Sequence, residues 1–199
     1  MEVLKEIYVG ILNTTLIEGV AVLVGITYLI LIASKNRWGW WLAFISSLLY
    51  VYLTYSVDLY VESFLQVFYV GMAVYGWMVW NKPENKSNRV KTWNAKIHVV
   101  VIITGSILSV LIGFLLQLYT NQANPYLDTF TTIFSLAATF MAAHKLIENW
   151  IYWIIIDTGL IFLYMGEGLY LIGMNYLIYT IIAIFAFVSW YKSFKTQKN

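Results

Sequence analysis

The chain has 199 residues, 61% of them hydrophobic and 11% charged, with 12 Gly, 2 Pro and no Cys. A water-soluble domain carries roughly 25% charged residues, so this composition cannot cover a water-facing surface, and the missing cysteines exclude disulfide scaffolds and thiolate metal sites. A net charge of +2 makes no case for nucleic acid, which leaves a polytopic membrane protein.

A helix crosses roughly 30 Å of hydrocarbon with about 20 mostly apolar residues. Residues 1–15 hold Glu2, Lys5 and Glu6 among apolar neighbours and predict a short interfacial helix rather than a signal peptide. Seven apolar runs follow, near 16–34, 39–56, 59–80, 97–119, 128–144, 149–165 and 169–191. The long polar stretch Asn81–Lys96, with Pro83, predicts a loop between spans three and four. The expected fold is an all-α membrane protein, one transmembrane domain over 1–199 with seven transmembrane helices.

Orientation follows from the basic residues. With the N-terminus outside, the inner loops and tail hold Lys35, Arg37, Lys82, Lys86, Arg89, Lys91, Lys96, Lys145, Lys192, Lys195 and Lys198. Only Lys5 then lies outside, and the outer loops carry Asp58 and Glu167. The C-terminus is therefore expected inside.

The two halves align without a gap at an offset of 110. Glu18 meets Asp128, Ala33 meets Ala143, Lys35 meets Lys145 and Trp40 meets Trp150. Leu53, Leu59-Tyr60, Tyr69 and Trp80 meet Leu163, Leu169-Tyr170, Tyr179 and Trp190. Residues 16–80 and 128–191 thus form two three-helix repeats joined by a linker helix at 97–119. A single joining helix makes the repeats parallel, a transporter plan whose site lies near the midplane between the halves.

Ionisable groups inside spans are costly and face the protein interior or a water-filled cavity. Glu18, Glu62 and Asp128 lie near the outer ends of their spans, where a solvated end serves as well as a functional one. Asp157 lies about 12 Å into span six at 1.5 Å per residue, and its alternatives are a packing hydrogen bond or a site. Trp150, Trp153 and Asp157 share one helix face at i, i+3 and i+7, with Thr158 beside them and Tyr164 further outward. Two indoles and a carboxylate suit a flat cationic heteroaromatic ring. All nine tryptophans fall in the inner half, where an interfacial belt explains most of them; Trp153 and Trp77 lie a turn deeper. Span three supplies Gln66 and Tyr69 and span seven Asn175 and Tyr179. The two amides suit ribose hydroxyls or a carboxamide, or serve as interhelical glue. Thr131, Thr132 and Ser135 read as helix-packing hydroxyls.

His98 and His144 have no metal-ligand spacing. There is no phosphate-binding Gly loop, HExxH or Ser nucleophile motif, so neither an enzyme nor a cofactor or metal site is expected, and transport is passive or ion-coupled. The odd span number permits a membrane scaffold or seven-helix sensor, but the internal repeat argues against it.

From Glu18 to Trp190 the chain resembles the PnuC family of bacterial vitamin-precursor transporters. The first half carries Glu18-Gly19, Gly25-Ile26-Thr27-Tyr28, Asn36, Trp41, Leu59-Tyr60, Leu65-Gln66, Phe68-Tyr69, Tyr75-Gly76-Trp77 and Trp80. The second carries Asp128, Lys145, Glu148, Trp150-Ile151-Tyr152-Trp153 with Asp157, Tyr164 and Gly168-Leu169-Tyr170. The WxxW followed by an acid four residues on is the specific part. The resemblance implies a 3+1+3 fold similar to SWEET sugar transporters, a homotrimer in a bacterial cytoplasmic membrane, and facilitated diffusion of nicotinamide riboside, trapped inside by phosphorylation. It implies a nicotinamide site at Trp150 and Trp153, with Gln66, Asp157 and Asn175 as polar contacts. One departure stands out: Ala138-Thr139-Phe140-Met141 replaces an expected pattern resembling Ala-Gln-Trp-Leu. Relatives carry thiamine, riboflavin or deoxynucleosides, and thiamine, also a cationic heteroaromatic, stays open beside the riboside. A SWEET-type sugar carrier fits the repeat, but Asp157 speaks against it.

Overall fold

The structure is a computed structural model that describes residues 2–56, 60–83, 89–120, 124–166 and 168–198. Leu59, Asp58, Lys86 and Glu167 lie outside the described residues, as does the side chain of Glu62. Eight helices follow one another: α1 (Glu2–Asn13), α2 (Leu16–Ala33), α3 (Gly39–Ser56), α4 (Tyr60–Asn81), α5 (Ala95–Tyr119), α6 (Pro125–Ala143), α7 (Asn149–Gly166) and α8 (Tyr170–Lys198). The short first helix and seven longer ones follow the boundaries expected from the apolar runs to within a few residues, α8 running furthest past its expected end.

Local chemistry sets the helix ends. Glu18 is not a group at depth: it is exposed and closes a capping box with Thr15, whose backbone N–H it accepts at 2.6 Å. Asn94 caps α5 by accepting the Ile97 N–H at 3.0 Å, and Pro125 opens α6 at a position that needs no N–H donor.

The α2–α3 and α6–α7 turns share one geometry. Lys35 and Lys145 are the only non-glycine residues with positive φ among those described, at 56° and 55°. In the first turn Lys35 N–H donates to Ile32 O and Asn36 N–H to Leu31 O. In the second, Lys145 N–H donates to Ala142 O and Leu146 N–H to Met141 O. Both are Schellman ends with lysine where glycine is usual. Gly168, at φ 77°, ends α7 the same way, with Leu169 N–H on Tyr164 O.

Among the described residues, five helices are long and apolar enough to cross a membrane: Leu16–Ala33, Ser63–Asn81, Ala95–Tyr119, Asn149–Gly166 and Tyr170–Gln197. Of the other three, α1 is short, and α3 and α6 match the five in length, with Trp, Tyr and Ser frequent in α3 and Thr in α6. Each of the latter two packs against its neighbours, which buries Trp40, Ser46 and Ser47 on α3 and Thr129, Ser135 and Thr139 on α6, while Trp41, Tyr52, Tyr55 and Tyr126 stay exposed.

The main contacts close a ring in the order α2, α3, α4, α6, α7, α8 and back to α2. Exchanging α2, α3 and α4 for α6, α7 and α8 maps this pattern onto itself. The linker α5 packs on α6 through a stripe of small residues, Gly105, Ser109 and Gly113. A Cβ at Gly105 would lie 3.0 Å from the Phe134 ring, and one at Gly113 2.7 Å from Tyr126, so the stripe is what lets the helices approach. The largest core cluster holds Ile32, Trp40, Trp80, Ala143, Trp150 and Trp190 near the lysine turns. A second gathers Phe134, Ile156 and Leu160 with Trp153, Tyr164 and Tyr176.

The polar stretch between α4 and α5 is tied down where it is described. Lys91 N–H donates to Lys145 O at 2.9 Å, and Lys91 O accepts from Ile147 N–H at 3.0 Å. Val90 is buried, and Trp93 N–H donates to a Glu148 carboxylate oxygen at 3.2 Å. A stretch read as a loop from its polarity is therefore clamped onto the α6–α7 turn.

Candidate functional site

Asp157 sits midway along α7 and is 4% exposed. An isolated carboxylate at that depth is costly unless polar groups surround it. The hydroxyls of Tyr28 on α2, Tyr69 on α4, and Tyr176 and Tyr179 on α8 all lie within its electrostatic reach. Ser135 on α6 lies beside the Tyr69 hydroxyl, and Asn175 beside that of Tyr179. A Cβ on Gly25 would lie 3.1 Å from the Tyr179 hydroxyl and 3.4 Å from Ser46 Oγ on α3. All six ring helices thus send a residue to one central cluster.

The cluster is chemically asymmetric although its frame is regular. Tyr69 and Tyr179 are 110 residues apart, as are Ser135 and Gly25; where Ser135 faces Tyr69, the Tyr179 hydroxyl fills the space that a side chain at Gly25 would take. Asp157 corresponds to Ser47, Asn175 to Leu65 and Tyr176 to Gln66. The acid, one amide and the stacked tyrosines therefore belong to the second half. Tyr164 lies parallel to Tyr176 with ring centroids 5.5 Å apart and planes 2° off parallel, and Tyr179 meets Tyr176 edge-on. A carboxylate within aromatic faces and neutral hydroxyls can hold a flat cation, and the amide and hydroxyls can bond sugar hydroxyls. Among the described residues no group of three His, Asp or Glu is placed to hold a metal.

Of the residues expected at a site, Asp157, Tyr69, Tyr164 and Asn175 come together here. Asn175 Oδ1 is buried and accepts no hydrogen bond in the described structure, which leaves an acceptor open within the cluster. Gln66 lies on α4 three residues before Tyr69 and is half-buried. Trp153 bridges the two core clusters, one turn from Asp157. Trp150 does not stand beside Asp157. It is fully buried in the inner cluster, edge-on to Trp190 at 5.4 Å. The i, i+7 spacing puts it on the same face, but about two turns lower.

Tyr28, Ser46 and Tyr176 have no place in the expected set. Tyrosines well inside apolar runs, away from the interfacial belt, are the signal in the sequence that points to Tyr28 and Tyr176.

At the lysine-turn end, the indole N–H of Trp80 donates to Ala143 O at 2.9 Å, and that of Trp190 donates to Ala33 O at 2.8 Å. The Lys145 ammonium lies 4.7 Å over the Trp80 ring, and Lys35 bonds the Ser193 hydroxyl. Burial, then neighbouring Lys91 and Lys35, push the Lys145 ammonium down to about 8. Burial, then Lys91 and Lys82, hold His144 below the usual imidazole range, where it bonds the Tyr75 hydroxyl at 2.9 Å.

Residues 15–192 match the family described as nicotinamide mononucleotide transporter. The nicotinamide riboside transporter PnuC of Escherichia coli K12 is 22% identical over 89% of this chain and 85% of its own length. The riboflavin/roseoflavin transporter RibM of Streptomyces davaonensis is 24% identical over 85% of this chain and 81% of its own. The crystal structure of the vitamin B3 transporter PnuC superposes with a TM-score of 0.75 at 21% identity, covering 98% of this chain and 88% of that one, a likeness of fold. With the family pattern running from the start of α2 into α8, the chain belongs to the nicotinamide mononucleotide transporter family, to which its PnuC relatives also point.

Proposed function

We propose that the protein is a seven-span, alternating-access carrier that lets nicotinamide riboside equilibrate across a bacterial cytoplasmic membrane. The observation that carries this reading is the buried Asp157 within a cluster of tyrosines drawn from three other helices. A pyridinium ring would stack on Tyr176, Tyr164 or Trp153 with its charge facing Asp157, while Asn175, Gln66 and Tyr69 take the ribose and carboxamide. Trp150 supports Trp153 from beneath. The residues named in the cluster include no lysine, arginine or histidine to offset a phosphate, which favours the nucleoside over its phosphate ester.

The closed ring of six helices, its self-matching contacts and the paired lysine turns support two parallel repeats, 16–80 and 128–191, joined through 97–119 in a SWEET-like plan. Orientation with the N-terminus outside and the C-terminus cytoplasmic rests on the basic residues. The homotrimer rests on the family resemblance.

A second reading, the same carrier taking thiamine or riboflavin, is favoured by Thr139 where an amide is expected and by the relatedness of RibM. Titration calorimetry of the purified protein with riboside, thiamine and riboflavin separates these readings, since each predicts heat from its own ligand. In liposomes the riboside should equilibrate without a gradient. Accumulation only under an imposed proton or sodium gradient would replace facilitated diffusion with coupling.

A further inference from the structure

The inner end of the ring is held by two matching bonds that cross between the halves. Trp80, in the first half, donates to Ala143 in the second; Trp190, in the second, donates to Ala33 in the first. Donors and acceptors are each 110 residues apart, so one bond is the image of the other. Each acceptor is the last residue of its helix, just ahead of a left-handed lysine. Each donor ring is fixed edge-on by a tryptophan of its own half: Trp40 against Trp80 at 5.7 Å and 83°, Trp150 against Trp190 at 5.4 Å and 88°. The indole N–H groups of Trp40 and Trp150 are buried without a partner, so this pair supplies support and the other pair supplies the bonds. Trp40, Trp80, Trp150 and Trp190 are all at most 3% exposed, and the central cluster lies above them.

We infer that Trp80 and Trp190 are gating residues of the transport cycle, two crossed latches that close the cytoplasmic end and must both release before substrate can leave inward. This rests on the alternating-access reading above. Rocking of one half against the other moves both donors away from their acceptors at once, because each bond has one end in each half. A bond within a half would survive that motion unchanged.

The chain has no cysteine, so a single reporter can be labelled without background. Thr139 is buried on α6, between the latches and the central cluster, one turn from Ser135. Thr139→Cys is labelled with a membrane-impermeant thiol reagent from each side in turn, using whole cells and inside-out vesicles. Trp80→Phe and Trp190→Phe keep an aromatic ring but lose the N–H. Each should speed cytoplasmic labelling about fivefold, the equilibrium factor matching the net worth of one hydrogen bond, and slow labelling from outside. The double variant should exceed either single one. Trp40→Phe takes the same volume from the support but removes no latch bond, and should change each rate less than Trp80→Phe does.

Faster labelling from both sides would mean loosened packing and would overturn the gate, as would equal effects from Trp40→Phe. Labelling from one side only, in wild type and variants alike, would instead overturn the alternating-access reading beneath it. If the Phe variants fail to fold, deuterium exchange of the wild-type protein gives a second reading. The indole N–H groups of Trp80 and Trp190, read by NMR, should exchange at matching rates, because one motion frees both; rates more than tenfold apart would refute the paired latch.

Discussion

Gly76 on α4 lies flat against the indole of Trp40 on α3, so close that a Cβ there would sit 2.4 Å from two ring carbons. The same indole meets Trp80, one turn along α4 from Gly76, edge-on. The absence of a side chain at Gly76 is thus what brings α4 close enough to α3 for Trp80 to aim its N–H at Ala143. The corresponding residue on α8 is Ala186, in the same inner cluster, so the second half accommodates a methyl where the first does not.

Gly76→Ala should therefore be severely destabilising. A rigid ring wedged between helices cannot yield by a side-chain rotation, and overpacking of this kind costs about 3 kcal/mol or more. The expected result is a large loss of folded protein on size-exclusion chromatography and a lowered Tm. A variant of wild-type Tm would show that α3 and α4 are spaced differently.

Trp150 and Trp153 should part company when each is changed to Ala. Trp150 is fully enclosed in the inner cluster, and emptying such a site costs about 3–5 kcal/mol. Trp150→Ala is expected to lose folded protein. Trp153 is only partly buried between the two clusters, so Trp153→Ala should fold, hold most of its Tm and lose riboside uptake. Normal uptake by Trp153→Ala would remove this indole from the site.

Asp157→Asn keeps the size of the side chain and removes its charge. For a cationic ring the expected effect is about a tenfold or greater rise in Kd, since each tenfold step is about 1.4 kcal/mol, with little change in Tm. Neutral riboflavin should lose far less. Equal losses for charged and neutral ligands in calorimetry would assign Asp157 to helix packing instead.

Lys145 carries a pH signature outside the membrane-spanning helices. Its ammonium is lowered from 10.5 to about 8 in the fold, first by burial and then by Lys91 and Lys35. Between pH 8 and 10.5 the unfolded chain therefore holds a proton that the folded chain has released, and stability rises with pH in that window. Below about 8 the full cost of the buried charge is present. Scanning Tm in detergent from pH 7 to 10 should show this rise, and Lys145→Met should flatten it. A rise of the same size in Lys145→Met would place its source elsewhere.

Much of this protein is legible in the chain itself. Membrane helices bury apolar faces against lipid, so the length and ends of these helices follow from local composition, as the capping at Thr15 and Asn94 and the turns at Lys35, Lys145 and Gly168 illustrate. The offset of 110 is a property of the sequence alone, and it foreshadows the matched turns and the matched tryptophans. Asp157 stands out because a carboxylate in the middle of an apolar run demands partners. Which partners those are is decided by tertiary structure. Tyr28, Ser46, Ser135 and Tyr176 come from four helices, and no spacing along one helix states which faces will meet across a ring. The same holds for Trp150: the i, i+3, i+7 pattern places it on the face of Asp157 but cannot say that the ring is closed at that level by Trp190. Helical periodicity fixes direction around an axis, and packing between helices decides what stands at each height.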